Sequence, residues 1–198
     1  MMSPEILALL RLFHVVATFL MAAPFYMLLV VNERARFTVP PGYNPDRYLE
    51  NIIKGQPLRC YAYMAVIAVT GFFLAFGVGF SADLFLSSWV LWVKVGGFII
   101  LVLLLSYVHF GIQPKIEKLM SPLKPGESLA ESDRPVLMAL RMRRKKLAAT
   151  CLFLVLTTVI FGMRMLAEYN IILLLAFLVF AALFAWRAYR KPVPYGWF

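Results

Sequence analysis

The sequence predicts an all-α membrane protein, a polytopic bundle of five transmembrane helices in a single domain covering residues 1–198. Three observations lead there. Hydrophobic residues make up 62% of the chain and charged residues only 15%. The apolar residues come in blocks of about 20 or more, the length a helix needs to cross ~30 Å of hydrocarbon. Those blocks are continuous rather than alternating, which excludes a transmembrane β-barrel.

The first span, 6–31, follows MMSPE, which has no basic stretch. With the length of the apolar run, this argues against a cleaved leader. The loop VPPGYNPDRYLENIIKGQP is turn-rich at its start and predicts a short interfacial helix around 46–53. Spans two and three, 58–80 and 84–110, are joined only by Ser81, Ala82 and Asp83, which predicts a tight antiparallel hairpin. Next comes SPLKPGESLAESDRPVLMALRMRRKK, where Ser132 or Asp133 stands at a capping position and Pro135 in the first turn. A helix starting there runs straight into span four, 147–166. Read as one helix with span five (170–189), it would be about 64 Å long at the α-helical rise, twice the bilayer core. The chain therefore turns back in the polar patch 164–170. Span five holds no buried ionisable group, so it reads as an anchor or as a docking face for another membrane subunit.

Basic residues set the orientation. Arg34, Arg36, Arg47, Lys54 and Arg59 follow span one; Lys115, Lys118, Lys124, Arg134, Arg141, Arg143, Arg144, Lys145 and Lys146 lie between spans three and four. Arg187, Arg190 and Lys191 follow span five. The other side has Arg164 near its surface and the membrane-embedded Arg11 and Lys94. The N-terminus is therefore expected outside, and both long loops and the C-terminus inside. This asymmetry accounts for the net charge of +10 without a nucleic-acid partner. The cluster Arg143, Arg144, Lys145 and Lys146 is expected at anionic lipid headgroups, worth ~1 kcal/mol per basic residue.

Lys94 is the strongest lead to chemistry. It sits inside SSWVLWVKVGGFIILVLLLSYVHF, where a charge costs on the order of 3 kcal/mol on insertion scales. All ten acids of the chain fall in loops or at span ends. On span one, Arg11 and His14 are three residues apart and share a face. His14 and Lys94 both lie ~12–15 Å below the outer end of their helices, so their side chains can meet at one level. A basic pocket holding one imidazole suits a flat, apolar, anionic ligand. For a b-type haem, His14 would hold the iron, Arg11 or Arg164 would take propionates, and Lys94 would act as charge partner or second ligand. A quinone or a porphyrin substrate fits the same pocket. The alternative is that Arg11 snorkels outward, His14 bonds a neighbouring helix and Lys94 lines a wet crevice. His109, over 20 Å deeper than Lys94 on the same helix, is too far to be the other axial ligand. It falls instead with Cys60, Met64 and Cys151 near the opposite face, a set of soft donors of the kind Cu(I) prefers, or simply core residues.

The segments LLRLFHVVATFL and SSWVLWVKVGGFIILVLLLSYVHF resemble two related families. These are the CopD-type copper-resistance membrane proteins and the HemJ-type protoporphyrinogen oxidases, which share a first-helix histidine and a lysine in the helix corresponding to span three. The matching positions are His14 and Lys94. The resemblance covers spans one to four and implies a bacterial inner-membrane location. On the HemJ side it implies haem binding and oxidation of a porphyrinogen, and on the CopD side copper handling.

Overall fold

The structure, a computed structural model, describes residues 2–36, 41–77, 88–167 and 169–190. Helix α1 (Pro4–Asn32) begins with Pro4 in its first turn, and the Ser3 hydroxyl accepts from the Ile6 N–H. It runs into a 3₁₀ turn at Glu33–Arg36. A short amphipathic helix α2 (Tyr43–Lys54) leads through Gly55 into α3 (Gln56–Gly77). Helix α4 (Trp89–Ser106) continues through a π-helical turn, Tyr107–Ile112, into α5 (Gln113–Met120). The long α6 (Arg134–Leu166) and α7 (Ile171–Arg190) complete the chain. Five stretches are long and apolar enough to cross a membrane: Pro4–Arg36, Tyr43–Gly77, Trp89–Met120, Arg134–Met165 and Ile171–Arg190. They correspond one for one to the spans read from sequence. The reversal at 164–170 falls between α6 and α7, and α2 covers the predicted interfacial helix. Asp133 occupies the N-cap position of α6 with Pro135 in the first turn, but its carboxylate makes no capping bond.

Neighbours in the bundle do not follow chain order. Helix α6 lies at the centre, packed against α1, α4 and α7, and α3 packs mainly on α1. The helices α3 and α4 have little mutual contact. Where they do meet, the Tyr61 hydroxyl is 2.9 Å from Ser106 Oγ. The three residues expected to close a tight hairpin between them lie outside the described residues. The main core, built around Met21, Phe25, Leu29, Met64, Leu101, Leu105, Leu152 and Val155, fills the space between α1, α3, α4 and α6.

The described parts of the two long connections, after α1 and before α6, are folded rather than plain loops. Val108, Ile112, Ile116, Met120, Leu129 and Leu137 form a second core under α5 and the start of α6. Residues around Gly42 and Ser128 pair as a short antiparallel bridge, with Tyr43 N–H donating to Glu127 O and Leu129 N–H to Pro41 O, both at 2.9 Å. Gly126, at φ +86°, makes the turn before it, a conformation that a side chain would strain.

Beneath this cap lies a buried charge network that ties most of the helices together. Asp46 and Glu50, one turn apart on α2, face inward with exposures of 0% and 1%. Arg141 donates to both, reaching Glu50 Oε1 at 3.0 Å. Arg144 grips Glu50 through Nη1 and Nη2 at 2.8 and 2.9 Å, Asn32 Oδ1 at 2.8 Å and Gln113 Oε1 at 2.6 Å. Lys145 pairs with Glu33, and Arg34 with Asp46 at 3.1 Å. Charges this deep are tolerated because each meets an opposite charge and fixed hydrogen bonds. Arg36 adds a tie to α7, donating to the Tyr189 and Arg190 carbonyls at 2.7 and 2.6 Å, the negative end of that helix. This narrows one sequence expectation. Of the four basic residues expected at lipid headgroups, Arg143 and Lys146 are exposed, whereas Arg144 and Lys145 are buried on carboxylates.

Candidate functional site

At the far end of the bundle from this network, a histidine of α1 meets a threonine of α3, and a lysine of α4 lies against α6. His14 is half-buried on α1, and its Nδ1 lies 2.9 Å from Thr70 Oγ1 on α3. The Thr70 hydroxyl has one proton, which it donates to the Val66 carbonyl at 2.6 Å. With that proton on the carbonyl, the hydroxyl accepts from His14 Nδ1–H, and that tautomer carries its lone pair on Nε2; the Ile67 carbonyl of α3 is a further hydrogen-bond partner of the ring. On the same helix, Thr18 donates to the His14 backbone carbonyl at 2.7 Å.

Two glycines make the room. A Cβ at Gly71 would lie 3.2 Å from His14 Cε1, tighter than side chains normally approach, so glycine lets the imidazole lie against α3. A Cβ at Gly162 on α6 would lie 3.5 Å from Lys94 Nζ, so the lysine tip passes over a helix surface bared of side chain. Lys94 is half-buried on α4 and has no carboxylate partner among the described residues. His14 therefore lies against α3 and Lys94 against α6.

The two arginines are placed differently. Arg164, two residues beyond Gly162, donates from Nη1 to the Tyr169 carbonyl at 2.9 Å. Its guanidinium lies over the rings of Trp89 and Tyr169, with centroids 5.6 and 5.8 Å away. The Tyr169 hydroxyl in turn donates to the Ile160 carbonyl at 2.5 Å. Arg164 is thus committed in part to clamping the α6–α7 turn against the start of α4. Arg11 shares a face with His14 but is exposed, and no contact among the described residues joins it to His14 or Lys94.

The second candidate set divides. Cys60, Met64 and Cys151 are buried together in the main core, and both thiols are free. His109 sits in the π-helical turn, its ring 6.1 Å from that of Tyr61 and 4.6 Å from Phe110. Its Nδ1 is buried without a hydrogen-bond partner among the described residues. Among the described residues, no three His, Cys, Asp or Glu side chains converge as they would around a metal ion.

Thr70 and Gly162 were not marked out by sequence. A single aliphatic hydroxyl in the apolar span YAYMAVIAVTGFFLAFG, next to a glycine, was the available signal for Thr70. Gly162 carried none, since its role depends on α6 facing Lys94. Comparison of the chain with known protein families, with curated proteins and with solved structures finds no match.

Proposed function

We propose that this chain is a bacterial inner-membrane protein that binds a haem b, or a flat anionic redox ligand of the same kind, and serves electron transfer or oxidoreduction. The N-terminus is outside, the ligand lies in the outer half of the bilayer, and the C-terminus is inside. The observation that carries the reading is the state of His14. Its Nδ1 is held by Thr70, and in the tautomer that donates from Nδ1 the lone pair is on Nε2. Metal-bound histidines are usually oriented in this way, by a partner on the nitrogen that does not coordinate.

The donor set fits such a group. One imidazole is available as an axial ligand, Lys94 and the outer Arg164 are cations for carboxylates, and Gly71 and Gly162 let the imidazole and the lysine tip lie close against α3 and α6. The haem, when bound, supplies a one-electron couple. The residues of the chain do the rest: Thr70 fixes the imidazole, Lys94 offsets ligand charge, and the apolar walls of α1 and α3 exclude water. Exposed Arg11 contributes field at the rim rather than a contact. The likeness of LLRLFHVVATFL and SSWVLWVKVGGFIILVLLLSYVHF to the CopD and HemJ types agrees with this assignment. The test is haem content per chain in protein purified in mild detergent, beside His14→Ala. Near-stoichiometric haem in the wild type, lost in the variant, supports the reading; haem-free, well-folded wild-type protein overturns it.

A second reading is a non-catalytic subunit of a larger membrane complex, docking through α7. What favours it is the outward face of that helix. Ile172 and Phe180 are 74% and 70% exposed, and α7 packs chiefly on α6 alone. An apolar groove of about 250 Å³ runs between the two helices, lined by Leu156, Ile160, Phe177, Phe180, Ala181 and Phe184. Stoichiometric co-purification of a membrane partner, lost on substituting Phe180, decides for it.

A further inference from the structure

The structure assigns a binding site for an anionic phospholipid headgroup to the elbow between α2 and α3, at Lys54 and Arg59. This rests on the membrane-spanning reading of the chain and is independent of what fills the His14 crevice.

The buried network makes this surface cationic. Helix α2 has an inward face of Asp46, Glu50 and Ile53, spaced four and three residues apart, all buried. Both of its carboxylates are consumed there by Arg34, Arg141 and Arg144. The opposite face presents Tyr48, Asn51 and Lys54, and the stripe continues past Gly55 to Leu58 and Arg59 at the start of α3. Tyr48 is 67% and Leu58 77% exposed, while Lys54 and Arg59 are exposed and form no ion pair among the described residues. Arg47, the remaining cation of α2, is already paired with Glu117 at 2.7 Å. The elbow therefore shows two unopposed cations flanked by an aromatic and an aliphatic side chain, where a polar helix meets a membrane-crossing one. Tyrosine and leucine can enter the acyl boundary there while the cations meet a phosphodiester, the arrangement of an interfacial anchor.

The cluster that the sequence marks for this role is depleted. Two of its four cations are buried, and Arg143 stacks over the Tyr107 ring at 5.3 Å. At ~1 kcal/mol per basic residue near an anionic surface, loss of Lys54 and Arg59 together weakens binding about 30-fold.

The full-length protein in neutral detergent is titrated with phosphatidylglycerol, with phosphatidylcholine as control, and bound lipid is counted by native mass spectrometry. Wild type, K54Q/R59Q and R143Q/K146Q are compared at low salt. The expected result is selective phosphatidylglycerol binding that falls about 30-fold in K54Q/R59Q and is largely kept in R143Q/K146Q. Unchanged binding in K54Q/R59Q overturns the assignment. An equal loss in both double variants also overturns it, because binding would then follow overall charge rather than this elbow. All four positions are exposed, and K54R/R59K serves as a folded control that should retain binding.

Discussion

Arg143 and Arg144 are adjacent and chemically identical, yet the structure gives them opposite consequences. Arg144 is fully buried and makes four hydrogen bonds, two of them to Glu50, one to Asn32 and one to Gln113. In Arg144→Ala, the Glu50 carboxylate stays at 1% exposure with Arg141 and a Gln113 contact at 3.4 Å as its remaining partners. Removing one member of a buried ion pair costs about 3–5 kcal/mol, because the other charge is left under-compensated. At roughly 2–4 °C per kcal/mol for a chain of this size, Arg144→Ala should lower the melting temperature by roughly 10 °C. Arg143→Ala loses an exposed cation–π contact with Tyr107, worth under about 1 kcal/mol, so its melting temperature should change by no more than about 3 °C. Both are measured by thermal unfolding in the same detergent, with near-ultraviolet circular dichroism as the signal. Equal, small shifts in the two variants would refute the network as the joint holding α1, α2 and α6.

Three further outcomes concern the His14 crevice. Lys94→Met should raise the melting temperature of ligand-free protein, since it removes a charge costing on the order of 3 kcal/mol in a span, while weakening ligand binding; a lower melting temperature contradicts this. Thr70→Val deletes the hydroxyl that fixes His14 Nδ1, at about 1 kcal/mol in stability and roughly 10–100-fold in ligand affinity, read by ligand titration of the purified protein. Gly162→Ala should be tolerated, because its Cβ would sit 3.5 Å from Lys94 Nζ, an ordinary contact, whereas Gly162→Leu should displace the ammonium and lose the ligand. Equal ligand content in those two variants would show that Lys94 does not use that space.

The apolar runs made the five helices legible, because crossing hydrocarbon imposes a length that composition alone reveals. The reversal between α6 and α7 followed from the same length argument. Spacing along one helix gave His14 and Lys94 a common depth, while the structure shows what each packs on, α3 for His14 and α6 for Lys94. What stayed hidden depends on which helices are neighbours. Thr70 meets His14 across 56 residues, and Gly162 meets Lys94 only because α6 is central. Local periodicity also did not tell buried cations from exposed ones. Arg143 and Arg144 point about 100° apart on α6, and only the second faces the carboxylates of α2. Arg11 illustrates the converse: three residues from His14 on the same face, it lies outside the crevice. Helical spacing gives a side chain its direction and leaves open how far the neighbouring helix reaches.

The most direct measurement is the dithionite-reduced minus air-oxidised absorbance spectrum of purified protein, with His14→Ala alongside. A b-type difference signal in the wild type, absent from a variant that keeps its melting temperature, is the predicted result. A flat wild-type spectrum from folded protein, or a signal undiminished by His14→Ala, would contradict a haem held by His14 Nε2.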